Sequence, residues 1–507
     1  MTGGPDVDEH HVVVGAGPAG LTAAWQLARM GRAVTVLEQD AEGVGGLART
    51  LSHAGHRYDI GPHRFYTKSR AVRDMWAAML PGGFVPVQRR TRIHYRRRFF
   101  PYPLALGQTL AKLGPGPSLA AAASWAWAQA RPRKPETSFE DWVVNRFGRR
   151  LYEAFFRTYT EKVWGLPCAR IDKDWAAQRI RGLSLPQLVR AALPGRRSQV
   201  ASLIDRFDYP RRGAGSLWEA VAAAVADAGG RVLLGRRVVG VSHADGRVTA
   251  VTTADGERHA GSHFHLTLTL KDLVEALDPA PPDAVLAAGR ALRHRDFMTV
   301  MLVVPRRDLF PDQWIYVHDP EVRVARITNY ANWNAELSPA GATTTALGME
   351  YFCDAGDDLW AASDDAVLTR AADELAAIGL STLPAGGGVP EGRVHRILDA
   401  YPIYDDGYRE RRRLLADWIG RRLANASPAG RKGLHNYNSQ DHAMMSATLG
   451  VRNLIEGAGF DVWSVNTEAE YAEEGAARGD IEERLVPRAV PQARPGETRP
   501  PAGEHRS

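Results

Sequence analysis

The chain has 507 residues, of which 44% are hydrophobic and 24% are charged, as in an ordinary folded protein. This length exceeds one compact core, so we expect two or three domains. The net charge of +6 is a small excess of 64 basic over 58 acidic residues and gives little support for nucleic-acid binding. It would suit an anionic small substrate if arginines meet in a cleft.

Cysteine content and apolar runs limit the class of protein further. The two cysteines, Cys168 and Cys353, argue against a disulfide framework, and no Cys/His spacing resembles a metal site. The start lacks a secretory signal pattern, and no apolar run reaches the roughly 20 residues of a membrane span. The sequence predicts a cytoplasmic protein without a transmembrane segment. The longest apolar run, 118–130, predicts a buried or partly exposed helix, with a membrane-surface element as the alternative.

The first elements in the chain form a βαβ unit. A β-branched strand, HVVV, leads into glycines and a helix, and the next strand, AVTVL, ends at Glu38. The intervening pattern is G-x-G-x-x-G. Its first glycine makes the tight turn, its second lets a pyrophosphate approach, and its third lets the helix pack on the strand. An acid at the position of Glu38 binds ribose hydroxyls. The unit predicts dinucleotide binding by Gly15, Gly17, Pro18, Ala19, Gly20 and Glu38.

A second glycine pair beyond Glu38 favours FAD over NAD. Gly45, Gly46 and Leu47 precede Arg49, an arrangement that resembles the FAD-binding start of the amine oxidase and protoporphyrinogen oxidase superfamily. A flexible surface turn is the alternative. The resemblance implies that strand 236–241 returns to the nucleotide domain, where the backbone of Val238 would meet the adenine.

The rest of the chain alternates between strand-rich and helical sections. In chain order, the sequence first predicts a basic hairpin at 89–104 with Arg96 to Arg98 on its exposed part, and then helices from 107 to about 201 with breaks at 114–117 and 131–135. Strands with Asp-Gly turns follow at 229–257, and a strand-rich stretch at 295–353. Helices are predicted near 363–380 and 406–425, and a last strand-to-helix crossing within 453–475. The Pro- and Arg-rich residues after about 484 predict a disordered tail.

These elements predict an α/β fold in which a Rossmann-type FAD-binding domain is interleaved with a mixed-sheet substrate domain and a helical domain. The predicted segments are 1–90, 201–260 and 421–475 for the FAD-binding domain, 91–200 for a mainly helical substrate or cap domain, 261–420 for the substrate-binding sheet domain, and 476–507 for the tail.

Four segments resemble UDP-galactopyranose mutases, in the same order as in those enzymes. They are RYDIGPHRFYT from Arg57, GRRLYEAFFRTYTEKVWGLPC from Gly148, VARITNY from Val324 and GRKGLHNYNSQDHAMM from Gly430. Two stretches depart from this pattern. Residues 207–232 look more like protoporphyrinogen oxidases and phytoene desaturases, and 350–360 has no mutase counterpart.

The resemblance leaves two enzyme hypotheses open. In the mutases, reduced flavin N5 attacks the anomeric carbon of a UDP-sugar, and the sugar ring re-forms without net redox change. The first hypothesis is such an enzyme, with an anionic nucleotide-sugar as substrate and NAD(P)H as a candidate reductant. The second is an FAD-dependent oxidoreductase that takes hydride from an amine, ring or polyene carbon. A flavin-fold binding protein without catalysis is a remote third.

The same resemblance implies the residues of the site. Arg326 would contact a substrate diphosphate, for which a guanidinium is well suited. His63 would lie near flavin N5, with a turn-capping histidine as the alternative. The other implied contacts are Tyr159, Trp164, Arg179 (or Arg181) and Tyr401 toward the substrate, and Gly61, Pro62, Gly430, Tyr437 and Asp441 toward the flavin. Core packing is the alternative for the aromatic residues, and Lys162 is predicted to solvate a helix face.

Overall fold

A computed structural model of the chain describes residues 9–102, 106–173, 175, 206–380 and 388–465. Arg179, Arg181 and the tail predicted from the composition lie outside the described residues.

The described residues form strands and helices in the alternation that the sequence predicts. The strands are β1 (His10–Val14), β2 (Ala33–Leu37), β3 (Thr50–His53), β4 (His56–Asp59), β5 (Phe84–Gln88), β6 (Thr91–Tyr95), β7 (Arg98–Pro101), β8 (Arg206–Pro210), β9 (Arg231–Leu233), β10 (Val238–Ala244), β11 (Arg247–Thr253), β12 (Arg258–Ala260), β13 (His263–Leu266), β14 (Leu277–Asp278), β15 (His294–Val304), β16 (Trp314–Val317), β17 (Arg326–Asn329), β18 (Thr345–Cys353), β19 (Gly392–Pro402) and β20 (Ala426–Pro428). The helices are α1 (Pro18–Arg29), α2 (Arg70–Met79), α3 (Leu106–Leu113), α4 (Pro115–Ala130), α5 (Phe139–Phe147), α6 (Arg149–Tyr152), α7 (Thr158–Trp164), α8 (Gly215–Asp227), α9 (Leu270–Glu275), α10 (Asp283–Arg290), α11 (Asp358–Ala361), α12 (Asp364–Ala377), α13 (Tyr408–Arg422), α14 (Gly430–Gly433) and α15 (Gln440–Glu456).

A five-stranded parallel sheet of order β20-β13-β1-β2-β9 forms the nucleotide-binding layer. Its central strands are β-branched and buried, as in a sheet that is covered on both faces. Helix α1 begins at Pro18, whose fixed φ suits a first helical position, and packs against α8 and α15. The Rossmann-type α/β fold predicted from the sequence is therefore confirmed.

The strands of this sheet come from distant parts of the chain, so the nucleotide-binding layer is assembled in at least three pieces. Strand β13 belongs to it although it lies just beyond the predicted second segment. The domain boundaries themselves stay a prediction. A four-stranded sheet of order β12-β11-β10-β14 follows β9, and the Asp-Gly turns predicted there join its strands.

A mixed seven-stranded sheet of order β19-β15-β18-β17-β16-β6-β7 forms the second large layer. Only β6 and β16 run parallel within it; its other neighbours are antiparallel. Helix α12 covers one face. The other face holds the chain that follows β4, because Thr299 Oγ1 donates to the carbonyl of Ile60 and Tyr330 donates to the carbonyl of Asp59 at 2.7 Å.

Helices α3 to α7 pack around a separate apolar core that includes Phe100, Trp142, Phe155 and Trp164. The predicted break at 131–135 is confirmed, whereas at 114–117 the chain is interrupted only at Gly114 and α4 begins at Pro115. Ser138 and Asp141 form a capping box that fixes the start of α5. One turn of π-helix, Glu153–Arg157, lies between α6 and α7.

The predicted strand of the last strand-to-helix crossing is wrong, and residues 466–475 of that prediction lie outside the described residues. Within the described residues, the last crossing runs from β20 into α14 and α15, and the apolar residues after Asn453 continue α15 up to Glu456. A short apolar run does not distinguish a strand from a buried helix segment, so periodicity alone misassigned it. Gly457, with φ of 63°, ends the helix.

Lys162 does not solvate a helix face. Its ammonium donates to the carbonyl oxygens of Val317 at 3.3 Å, Asp319 at 2.5 Å and Val324 at 3.2 Å. Burial lowers the pKa of Lys162 to about 8. Three carbonyl acceptors explain why a lysine is half-buried here, and the contact ties α7 to the end of β16 and the loop between β16 and β17.

Candidate flavin and substrate site

The first and third glycines of the loop after β1 are required by the protein's own packing. A Cβ on Gly15, whose φ is +98°, would lie 2.1 Å from Thr267 Oγ1, and a Cβ on Gly20 would lie 1.9 Å from the Gly15 carbonyl oxygen. Gly17 differs, because a Cβ there would meet no atom within 4 Å. Its space opens at the amino end of α1, where the helix dipole and free N–H groups favour an anion. The loop therefore fits a pyrophosphate.

Glu38 stands at the carboxyl end of β2 and is only 6% exposed. Its carboxylate accepts the N–H of Ala16 at 2.6 Å and that of Asp40 at 2.9 Å. Burial raises the pKa of Glu38, and these hydrogen bonds oppose the shift. The carbonyl of Glu38 accepts the N–H of Arg236 at 2.7 Å, so the chain leading to Val238 returns beside it. This placement agrees with the expected ribose and adenine contacts, which stay predictions.

The second glycine pair packs on the first loop and is not a free surface turn. Gly45 donates its N–H to the Ala16 carbonyl at 2.8 Å, and a Cβ on Gly46 would lie 3.3 Å from Gly17 Cα. Leu47 follows in the same short helical turn. Arg49 pairs with Asp40 and, at 3.1 Å, with Glu42. Its guanidinium thus holds this loop together, and its predicted cofactor contact stays a prediction.

The segment from Gly61 to His63 connects the two large layers. His63 Nδ1 lies 4.0 Å from the buried carboxylate of Asp59, and the His63 side chain is 17% exposed. Burial, together with the charges of Arg431 and Arg326, lowers the pKa of His63 to about 3. The imidazole is therefore neutral near pH 7. Burial also raises the pKa of Asp59 to about 7, against hydrogen bonds from Thr50 and Tyr209.

Arg326 forms a two-pronged ion pair with Glu350, its direct neighbour across β17 and β18. Arg326 Nε donates to Glu350 Oε1 at 2.8 Å, and Nη2 binds Oε2. Burial acts to lower the pKa of Arg326, but the Glu350 carboxylate raises it well above its usual value. The fork that the resemblance assigns to a diphosphate already binds a carboxylate, which leaves Nη1 as the part of the guanidinium outside this pair.

Aromatic side chains form a wall beside this ion pair. The rings of Tyr401 and Tyr437 stack at 5.5 Å, and the guanidinium of Arg431 lies 5.2 Å and 4.9 Å from their centres. Tyr159 stacks on His318 at 4.9 Å. Burial raises the pKa of Tyr401 and of Tyr159, so their hydroxyls remain protonated and able to donate. Tyr159 contacts Tyr316, which pairs with Arg326 in the sheet. Tyr401 contacts Phe352, two residues from Glu350 on β18, so both tyrosines lie near the ion pair.

Two predicted residues lie beside this wall. Trp164 is 3% exposed and contacts Trp175, Tyr401 and Tyr437 edge to face, so it packs behind the tyrosines. Asp441 is 4% exposed at the second position of α15 and accepts the Ser439 hydroxyl at 2.5 Å. Their expected contacts with substrate and flavin stay predictions.

Gly430 closes the site from the other end of the chain. A Cβ on Gly430 would lie 3.0 Å from the Cβ of Ala19, so this glycine touches the first turn of α1. Its N–H donates to Ser446 Oγ at 3.0 Å. The expected flavin contact of this segment is consistent with its position beside the glycine loop.

Three charged residues of the site were not predicted. Glu350 is the single acid in an otherwise apolar strand, and Asp59 ends β4 just before the Gly-Pro turn. An isolated acid in a buried strand, as at Glu350, is a signal that sequence reasoning can use, whereas the strand of Asp59 also contains Arg57. Arg431 follows the predicted Gly430, but nothing local indicates that it turns toward Tyr401 and Tyr437.

Comparisons with known proteins agree with this geometry. Residues 13–79 match the family model described as an NAD(P)-binding Rossmann-like domain. The chain is 31% identical over 276 residues to phytoene dehydrogenase of Streptomyces griseus, which covers 48% of this chain and 51% of that protein. It is 50% identical over 66 residues to L-amino acid oxidase Cdc18 of Crotalus durissus cumanensis, 13% of each protein. The matches thus span about half, or much less, of these curated relatives.

Two solved structures share the fold over most of the chain. Reduced UDP-galactopyranose mutase superposes with a TM-score of 0.76 at 19% identity, covering 92% of this chain and 99% of that one. A protoporphyrinogen oxidase homologue from Exiguobacterium sp. 255-15 superposes with a TM-score of 0.68 at 19% identity, covering 88% and 98%.

The fold and the glycine cradle define a flavoprotein with a Rossmann-type dinucleotide site. The chain resembles FAD-dependent amine and phytoene oxidases in sequence and shares its fold with UDP-galactopyranose mutase, and its cofactor is FAD. Across the described part of the chain, no helix has the length and apolar character needed to cross a membrane.

Proposed function

We propose that the protein is a flavoenzyme that acts on a nucleotide-sugar by mutase-type chemistry. The observation that carries the proposal is the cluster that Arg326 and Arg431 form with three tyrosine side chains. Arg326 pairs with Glu350, whereas the guanidinium of Arg431 donates to the carbonyls of Asn438 and Ala400 and keeps its positive charge beside the tyrosines. An anionic substrate rich in hydroxyl groups suits such a wall.

The residues of the candidate site have separate roles at its nucleotide end and at its substrate end. The loops around Gly17 and Gly46, with Glu38, would hold the dinucleotide part of FAD, which supplies an electron-rich centre when reduced. Arg326 and Arg431 would offset the charge of a substrate diphosphate. The hydroxyls of Tyr159, Tyr401 and Tyr437 would orient the sugar, since protonated phenols donate to its oxygens.

In this proposal, His63 would form a hydrogen bond with a hydroxyl group of the substrate. Its ring is neutral near pH 7, and Nδ1 makes no hydrogen bond among the described residues. A neutral imidazole can accept a hydrogen bond from a substrate hydroxyl or donate one to it. The adjacent Asp59 would help to orient the ring.

An FAD-dependent oxidoreductase is the second candidate, and two observations favour it. Glu350 already occupies the fork of Arg326, which weakens the diphosphate argument. The curated relatives are named as a phytoene dehydrogenase and an L-amino acid oxidase. NAD(P)H as the reductant and a cytoplasmic location remain part of the first proposal as predictions from the sequence.

The deciding experiment compares two activities of one preparation. We would incubate dithionite-reduced protein with UDP-, GDP- and dTDP-sugars and separate the products by chromatography, while the oxidised protein is tested for oxygen uptake with amines and amino acids. We expect isomerised nucleotide-sugar from the reduced form alone. Stoichiometric oxygen consumption without a reductant, and no isomerisation, would establish the oxidoreductase instead.

The variant Arg326→Lys tests the role of the guanidinium. It keeps the charge but loses the planar fork, so turnover should fall by roughly 30-fold or more while FAD stays bound. Arg452→Lys is the matched control, because Arg452 pairs with Glu456 on the exposed end of α15. Full activity of Arg326→Lys would contradict the proposed site.

A further inference from the structure

Helix α4 turns an uncharged apolar stripe toward solvent. The stripe consists of Leu119, Ala122, Ala123, Ala126, Trp127 and Ala130, which recur at helical spacing and are all exposed. Leu119 is 73% exposed and Trp127 is 62% exposed, the two highest values among the exposed large hydrophobic side chains of the described residues. The solvent side of a surface helix normally carries its charged residues. In α4 this arrangement is reversed.

The opposite side of α4 already has its partners. Ala121 and Ala128 are buried, and Trp125 packs so closely on the start of α6 that a Cβ on Gly148 would lie 2.6 Å from the Trp125 nitrogen. Ser124 Oγ accepts the N–H of Arg150 at 3.2 Å. Rotation of the helix to bury the stripe would break these contacts, so only another surface can cover it.

Basic side chains surround the stripe. The guanidinium of Arg131 lies 4.6 Å from the Trp127 ring, Lys112 is exposed before the helix, and Arg149 and Arg150 are 60% and 66% exposed beside its middle. Residues 106–153 hold seven basic and four acidic side chains. Glu136, Glu140 and Asp141 pair with Arg146 and Arg133, and Glu153 pairs with Arg149 and Arg150. The rim of the stripe is thus positive.

We propose that α4 docks the protein on a bilayer surface that contains anionic lipids. The apolar stripe would enter the boundary between headgroups and acyl chains, and the basic rim would contact the headgroups. Leucine and tryptophan suit that depth, and Arg131 can extend past Trp127 toward the phosphates. A helix of 16 residues lies on such a surface and does not cross it.

A second copy of the chain suits this surface less well. A symmetric dimer would bring the same stripe together from both copies, so the two basic rims would face each other and repel. An anionic bilayer meets both features at once. The proposal is independent of the reaction, because it uses no residue of the flavin or substrate site.

Vesicle binding tests the proposal directly. We would sediment the FAD-loaded protein with vesicles of phosphatidylcholine alone and with vesicles that contain phosphatidylglycerol. We expect binding to the anionic vesicles that weakens at high salt, because the Debye length shrinks. Brominated lipids should quench part of the tryptophan fluorescence of the wild type, and Trp127→Phe should lose this quenching.

A charge-matched pair of variants completes the test. Leu119→Glu/Trp127→Glu should bind anionic vesicles roughly tenfold less, since it places two charges in the interface. Met30→Glu/Val389→Glu adds the same charge at two other exposed apolar side chains and should bind as the wild type does. No binding by the wild type at low salt, or equal binding by both variants, would overturn the proposal. A dimer by light scattering that Leu119→Glu/Trp127→Glu abolishes would overturn it in favour of a second copy.

Discussion

The nucleotide end and the substrate end of the candidate site are built by different means. At the nucleotide end, backbone groups form the site, and the glycines Gly15, Gly17 and Gly20, which lie close together in the sequence, leave space for the ligand. At the substrate end, charged and aromatic side chains arrive from β17, β18, α7 and the chain before α15. The first end is local in sequence and the second is not. This difference determines which substitutions damage folding and which damage binding alone.

The largest expected effect separates two glycines of one loop. Gly20→Val would place its side chain on the Gly15 carbonyl, where the gap is only 1.9 Å from a Cβ, so we expect loss of folded protein. Gly17→Val meets no protein atom within 4 Å at its Cβ and should fold. It should nevertheless be colourless, because the added side chain fills the pyrophosphate position.

Circular dichroism and the flavin absorbance of purified protein measure both outcomes. Gly229→Val is a control for general glycine replacement that has space at its Cβ, although its φ of +86° makes it strained. A yellow, fully loaded Gly17→Val protein would show that the nucleotide end is not at this loop.

The substrate end should respond differently, through an unpaired charge. Glu350→Gln leaves the Arg326 guanidinium against a neutral amide in a largely buried place, so we expect a loss of about 3 kcal/mol in the free energy of unfolding. FAD absorbance of the folded protein should persist, since the glycine loops are untouched. Denaturant unfolding measures the loss.

The double variant Arg326→Met/Glu350→Met sharpens this prediction. Because it removes both charges and keeps apolar volume, it should recover most of the stability while turnover stays low. Wild-type stability of Glu350→Gln would mean that the pair carries little energy and that Arg326 finds another partner.

A smaller effect is expected from two histidines in the sheet beneath the nucleotide end. His11 and His265 are fully buried neighbours, with Nδ1 of His11 3.3 Å from Nε2 of His265. Burial lowers the pKa of His11 to about 4 and that of His265 to about 3. The unfolded chain therefore binds more protons below pH 6.5, so stability falls as pH decreases from about 6.5 toward 4 and is unaffected above.

Replacing both histidines tests this window. His11→Leu/His265→Leu should lose roughly 2 kcal/mol less than the wild type between pH 7 and pH 5.5, as measured by urea unfolding at each pH. His53→Leu, at a partly exposed position on β3, serves as the control. An unchanged pH dependence in the double variant would show that other groups cause the acid sensitivity.

The sequence by itself determined the nucleotide end. Strand, glycine loop, helix and Glu38 are consecutive, so local turn geometry and periodicity are enough to place them. The resemblance to flavoproteins added the order of the later segments and the expectation of FAD. The first follows from one short stretch of sequence, and the second follows from several short segments in a fixed order.

Only the tertiary structure decided the partners at the substrate end. Arg326 meets Glu350 because two antiparallel strands place them side by side, and Arg431 reaches Tyr401 because α14 folds back on β19. Lys162 finds its carbonyls on a loop more than 150 residues away. Local propensity carries no information about such pairings, because their energy appears only when distant segments are desolvated together. The exposure of α4 could not be predicted for the same reason. The sequence of an apolar helix does not show whether it lies in a core or on a surface, because its neighbours decide this.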